Sequence, residues 1–395
     1  MTSHVRAVNL VVYALLFVGA FVLTLAQALA AVDAPAAPQE VTLAAKGHGW
    51  AITDAQGMTL YISKRDNVPG TSSCVEGCAL AWPPYAAPEN AITGNGWSVI
   101  TRVDTIGENE VESLQWAYND KPLYRYNVDQ SPGDTYGEGS GLLWDMAFIE
   151  IPTPPGIQIE TTLMGYVAAD RHQKTLYAPQ TEVDVASLCI ETSCESDWSP
   201  VIAPRVARSI GEWSVVTRVD GLKQWAYNGQ PLFRYSGDVL IQEAQGHEVQ
   251  FDSEGNTMSA MVLEPRPPYP DWVTVLDTDA GEMLADSNSQ TIYIWDPSKL
   301  FSAARQAVEG CELECLEEEW IPMFATETDV APGGNWAIVT LSDGRRQWAY
   351  KGRGLFTNTR DKTQGSFLGY RHGGNRAWNV VMHSGKSLQG TLRRP

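Results

Sequence analysis

The 395-residue chain lacks the signatures that usually carry catalysis. It has no Gly-x-Ser-x-Gly elbow, no phosphate-cradling glycine loop and no His-Glu-x-x-His. Histidine is scarce, with six in all, and only His247 and His372 stand at loosely matching places. Cations are also short: 28 Lys and Arg face 47 Asp and Glu, a net charge of −19. Such a surface repels phosphate backbones, so a nucleic-acid partner is excluded, and the surplus acid serves solvation. Cysteine is limited to three local pairs, Cys74 with Cys78, Cys189 with Cys194, and Cys311 with Cys315. Their spacing is too wide for a Cys-x-x-Cys redox motif, and no His follows to make a c-type haem site. Zinc would need two further ligands in each case. The expectation is three local disulfides formed in an oxidising compartment, each worth about 2 kcal/mol. A redox-active role for the pairs is the alternative. No metal site, no cofactor and no catalytic residue is expected.

Aromatic residues, by contrast, are plentiful, and they repeat. Gln-Trp-Ala-Tyr occurs at Gln115–Tyr118, Gln224–Tyr227 and Gln347–Tyr350. A β-type run lies upstream of each copy, beginning at Trp97, Trp213 and Trp336, and the Cys pair lies before that. Earlier still, Tyr61, Tyr177 and Tyr293 recur at an interval of 116 residues. That period is a duplicated domain, well beyond the roughly 20–50 residues of a solenoid repeat. Two proline clusters, 151–156 and 264–270, separate the copies as semi-rigid spacers. The units are therefore placed at 44–151, 157–264 and 270–395. Within them, short runs rich in β-branched and aromatic residues are punctuated by Gly, Pro, Asn and Asp. Asn228-Gly229, between Gln-Trp-Ala-Tyr227 and Pro231-Leu-Phe, predicts a tight hairpin. Only 297–309 and the surroundings of the Cys pairs invite a helical turn. The fold class is mainly β, three tandem small sheet domains, each with a local disulfide. The tandem order suggests a rod presenting different faces.

Residues 1–30 carry Arg6, no acid and an uncharged run over 10–26, then Ala28-Leu29-Ala30, which resembles a signal-peptidase site. The run is longer than a usual signal core and at the short limit of a membrane span. It is either a signal peptide or an apolar helical anchor, followed by an Ala/Pro linker over 31–43.

Unit one sets Gly57-Met-Thr-Leu-Tyr61 before Asp66, then Cys74, Cys78, Trp82-Pro83-Pro84, Pro122-Leu-Tyr-Arg-Tyr126, Asp129 and Pro132-Gly-Asp134. Unit two keeps Thr175-Leu-Tyr177, the pair Cys189 and Cys194, Trp198-Ser-Pro200 and Pro231-Leu-Phe-Arg-Tyr235 but not the Pro-Gly-Asp loop. Unit three keeps Tyr293, the pair Cys311 and Cys315, and Trp320-Ile-Pro322, with Gly354-Leu-Phe-Thr357 in the later position. These residues resemble the bacterial "secreted repeat of unknown function" family, predicted lipoproteins with a Tyr-x-aromatic-x-x-Asp motif. Ser63 stands where that motif has an aromatic, and no lipobox cysteine is present, the first Cys being Cys74. The resemblance implies export and a repeated scaffold, with no settled activity.

The reading that follows is a non-enzymatic exported protein in the periplasm. It is held at the inner membrane by residues 10–26 if they are retained, and it serves as a binding or assembly subunit of a membrane protein complex. A second reading is a soluble periplasmic ligand binder using aromatics of unit one, Tyr61, Trp82, Tyr124 and Tyr126. A third is an electron-transfer accessory protein. Asp129 and Asp134 flank a Gly/Pro turn and read as turn caps in preference to a cation site. The places where the copies differ, the Pro-Gly-Asp loop and 354–357, are where contact surface is expected.

Overall fold

Gln-Trp-Ala-Tyr folds as the returning arm of a hairpin because its alternating side chains find two dry faces. Trp97, Trp213 and Trp336 open the outgoing strands and pair directly opposite Tyr118, Tyr227 and Tyr350. The paired rings lie 4.7, 4.6 and 5.1 Å apart, centroid to centroid. The middle tryptophans, Trp116, Trp225 and Trp348, are buried in the hairpin core of each unit. The glutamines point to the other face and are buried too. Each donates its amide to a carbonyl one strand further on, at Leu123, Leu232 and Leu355, over 2.8, 2.8 and 2.9 Å. In the first two units the glutamine oxygen also accepts from a buried arginine, Arg102 at 2.9 Å and Arg218 at 3.1 Å. Unit three has Leu341 at that place, and its glutamine does without the arginine.

We describe residues 34–106, 109–180, 197–252, 254–295, 319–370 and 378–383 of a computed structural model. The fold is mainly β, in many small antiparallel sheets. Of the three expected disulfides, one is seen: Cys74 is bonded to Cys78 beside a single helical turn, Gly77–Ala81. The bond expected between Cys189 and Cys194 lies outside the described residues, and so does the bond expected between Cys311 and Cys315. A disulfide in each unit is therefore narrowed to a disulfide in unit one. The apolar segment 10–26 and the stretch 297–309 also lie outside the described residues. No helix among the described residues is long and apolar enough to cross a membrane.

The units share one plan. A first hairpin, Val41–Lys46 with Gly49–Asp54, recurs as Ile157–Thr162 with Gly165–Asp170 and as Thr274–Leu276 with Met283–Ala285. The strand begun by Tyr61, Tyr177 or Tyr293 then pairs with the last part of its own unit, opposite Met146, Ala260 and Val380. The Gln-Trp-Ala-Tyr arm turns back through two residues of positive φ: Asn119 and Asp120, Asn228 and Gly229, Lys351 and Gly352. Two-residue turns of this kind match the twist of the strands they join.

The units do not extend as a rod. From Ala34 onward the chain is one compact unit, and the third repeat returns to the first. His48 of unit one stacks between Phe148 and Tyr166, the latter ring 3.6 Å away in unit two, and its Nδ1 lies 2.8 Å from Glu264. The hairpin tip of unit three reaches unit one, where Lys351 donates to the Glu138 carbonyl (2.7 Å) and Arg353 to the Tyr126 hydroxyl (2.8 Å). Gly352 fits there because a Cβ would stand 2.7 Å from Val128 and 3.0 Å from Tyr136. Pairwise contact at both ends of the chain, in place of end-to-end stacking, is what overrides the rod.

The glutamine bond gives a test. Gln115→Leu leaves one buried Arg102 donor without its partner and takes one of two donors from the Leu123 carbonyl, which keeps the Tyr85 N–H, and should cost roughly 1–3 kcal/mol. Gln347→Leu removes only the amide bond to the Leu355 carbonyl, which keeps the Met323 N–H, and should cost less. Urea unfolding of both variants checks the order, and equal losses would refute it.

Candidate functional site

The strand tyrosines carry the most regular polar arrangement in the molecule. The Tyr61 hydroxyl donates to Asp129 (2.6 Å), Tyr177 to Asp238 (2.6 Å) and Tyr293 to Asp361 (2.5 Å). Each hydroxyl in turn accepts a backbone N–H, from Gly137, Gly246 or Gly369, at 3.3 Å in all three units. The second carboxylate oxygen of each aspartate accepts the N–H of the preceding residue, Tyr136 (3.1 Å), Gln245 (2.9 Å) or Leu368 (2.7 Å). The glycines are fixed by space. A Cβ at Gly137, Gly246 or Gly369 would come within 2.9, 2.7 or 2.6 Å of Trp82, Trp198 or Trp320. Burial pushes the Tyr61, Tyr177 and Tyr293 phenols far above their ordinary range, so they remain donors at any physiological pH. Burial also pushes Asp129 up to about 7, against the pull of the Tyr61 hydroxyl and the Tyr136 N–H, and raises Asp238.

Tyr61, Trp82, Tyr124 and Tyr126, the aromatic candidates of unit one, are brought together in one cluster with Trp144. The disulfide partners Cys74 and Cys78 pack against the same cluster. Trp82 lies flat between Trp144, 3.8 Å away, and Tyr126, 4.2 Å away. Tyr61 and Tyr124 are wholly buried, and Trp82 and Tyr126 are each 7% exposed. Their polar tips are engaged as well: Tyr124 donates to Asp66 (2.8 Å), and Tyr126 accepts from Arg353. The rings thus pack one end of the unit in place of lining an open groove. Asp134 caps its turn by accepting from Gln130 and Ser131, both at 2.9 Å. Asp129 does more than cap, being the acceptor of the Tyr61 phenol. Its counterparts Asp238 and Asp361 escaped the reading of the sequence. The available signal was spacing, since each aspartate precedes its glycine by eight residues.

Across the described residues the recurring polar groups bond to one another. Asp54 and Asp170 each accept two turn N–H groups and an arginine, Arg125 or Arg234. The copies also differ at the loop just after the aspartate that the strand tyrosine bonds. Unit one has Gln130-Ser131-Pro132 there, unit three Lys362-Thr363-Gln364, and unit two Val239-Leu240-Ile241. Those three apolar side chains are 76%, 65% and 57% exposed. The loop is held from beneath: the Lys174 ammonium donates to the carbonyls of Asp238 (2.8 Å), Val239 and Leu240 (2.9 Å). Glu243 accepts the Leu240 N–H at 2.6 Å, as Asp134 does in unit one. With its backbone fixed inward, the side chains face solvent.

A β scaffold repeated three times around the same Tyr–Asp–Gly clasp defines a tandem β-repeat protein. The family model described as "secreted repeat of unknown function" matches residues 42–86 and 108–147 in the first unit and 214–252 in the second. Over those segments the chain is similar to that family, and the third unit, which the family model does not match, carries the clasp as well. No curated protein and no solved structure matches it.

Asp129 makes the stability of unit one depend on pH. Its folded-state pKa is raised above the unfolded value near 3.8, so its contribution is complete below about pH 4 and is lost as pH rises through about 7. The stability of the native protein relative to Asp129→Asn should therefore fall between those limits. Thermal unfolding of both proteins across that window measures it, and a pH-independent difference would contradict the assignment.

Proposed function

We propose that this exported repeat protein is a non-catalytic binding and assembly subunit, held outside the cytoplasm at the membrane and docking a membrane protein complex. The observation that carries the reading is the Val239-Leu240-Ile241 loop. Exposed aliphatic side chains on one short loop are unfavourable in water, and clusters of them mark contact surfaces. Here the backbone beneath is fixed by Lys174 and Glu243, so little ordering entropy remains to be lost on docking. The polar residues that recur in every copy are engaged in internal bonds, which favours a scaffold over a catalyst. The apolar run 10–26 supplies a tether if it is retained. The ligand-binding reading that rests on Tyr61, Trp82, Tyr124 and Tyr126 is less favoured, because those rings are sealed.

The test is a loop exchange. Val239→Gln, Leu240→Ser and Ile241→Pro together give unit two the loop residues of unit one, on a backbone capped in the same way. Detergent-solubilised membranes should yield the native protein crosslinked to a membrane protein, and the exchanged protein should lose that partner by about tenfold. Recovery of the native protein as a free monomer only would overturn the proposal.

A further inference from the structure

A chamber of about 670 Å³ lies where the three units meet. Its size falls in the range of sites for small organic ligands, roughly 300–1,000 Å³. Four acids face it, and each is already engaged. Asp145 pairs with Lys64 at 2.9 Å, and Glu264 lies 2.8 Å from the His48 ring. Glu160 accepts the amides of Gln158 and Gln242, both at 3.0 Å, and Glu138 accepts the Met146 N–H. Two half-buried cations on the wall are different. Lys351 donates to a neutral oxygen, the Glu138 carbonyl. Arg266 donates to the Tyr269 hydroxyl (2.8 Å) and the His383 carbonyl (2.7 Å). Neither makes an ion pair among the described residues.

In a chain with 47 acids and 28 bases, two half-buried cations whose hydrogen bonds go to neutral oxygens, with Glu138 acting on Lys351 only through its charge, are an unusual arrangement. Burial already lowers the Lys351 pKa, with the charge of Glu138 opposing. The position of Lys351 points the same way. It opens a two-residue turn at φ 50°, where the other units have Asn119 and Asn228 at φ 45° and 48°. Asparagine tolerates that conformation better than lysine, so the turn itself gains nothing from the replacement. What lysine adds is an ammonium that both bonds the Glu138 carbonyl of unit one and stands at the chamber wall.

We propose that the chamber binds a small organic carboxylate, with Lys351 and Arg266 as its charge contacts. The four surrounding acids disfavour a doubly charged phosphate, and an Arg fork suits a carboxylate. The rest of the wall includes Ile159, Leu163, Pro265 and the Tyr166 ring, which suit an apolar body. Val239, Leu240 and Ile241 do not line the site, although the next residue, Gln242, does, and the site exists only where all three units meet.

Isothermal titration of the full-length protein with benzoate, benzamide and inorganic phosphate tests this. Benzoate should bind at least about tenfold more tightly than benzamide, its neutral counterpart, and than phosphate. Lys351→Asn, which restores the turn residue of the other units, and Arg266→Gln should each weaken benzoate about tenfold. Circular dichroism verifies that each variant is folded. Equal binding of benzoate and benzamide, no saturable benzoate binding, or unchanged binding in both variants would overturn the proposal. Tighter binding of phosphate would overturn the carboxylate class. A protein with Val239→Gln and Leu240→Ser alone, which leaves Ile241 beside Gln242 unchanged, should bind benzoate as the native protein does, which separates failure of this site from failure of the docking surface.

Discussion

A phenol sealed from water needs an acceptor for its proton, and a carboxylate sealed beside it needs donors for its lone pairs. The Tyr–Asp–Gly clasp meets both needs at once, and much of each unit is arranged around it. It joins the strand begun by Tyr61, Tyr177 or Tyr293 to a loop 61 to 68 residues further on. It fixes where the tryptophan after the Cys region can lie, because the glycine that completes the clasp has no Cβ to hold that ring away. It also anchors the start of a loop that differs between copies. The clasp is thus the common footing on which unlike loops are carried.

The repeat architecture was legible in the sequence because it rests on identities: Gln-Trp-Ala-Tyr, the strand tyrosines, Trp-x-Pro and Asn228-Gly229. Those residues mark hairpins and packed strand ends, where local pattern and tertiary structure agree. The similarity to the secreted-repeat family was legible for the same reason. The roles of the glutamines were not, since a polar residue within a strand gives no local sign of the carbonyl it will reach. Asp238 and Asp361 were missed because the residues around them differ from those around Asp129, and only their distance to a glycine is kept. The aromatic residues of unit one lie together in the structure, but composition does not distinguish a groove from a filled core.

The arrangement of the units was the least legible feature. No periodicity reports it, because it depends on a few contacts between distant segments: His48 between two rings, the Lys351-Gly352 tip against Val128 and Tyr136, and Arg353 on Tyr126. Each involves residues particular to one copy. Divergence of the copies has therefore produced two things, an association among the units themselves and an apolar loop turned away from them. The acidic surface is compatible with both, since it keeps the exterior soluble while leaving these few sites distinct.

The contact between Lys351 and Glu138 spans 213 residues of chain. Domains form in the order they are made, so unit one must stand complete while its seat at Val128 and Tyr136 is still uncovered. The ring of units closes only when nearly the whole chain has been delivered to the compartment in which it folds. A chain interrupted before the last hairpin would fold its early repeats and yet be left with an open seam, which gives quality control a way to tell the unfinished protein from the finished one.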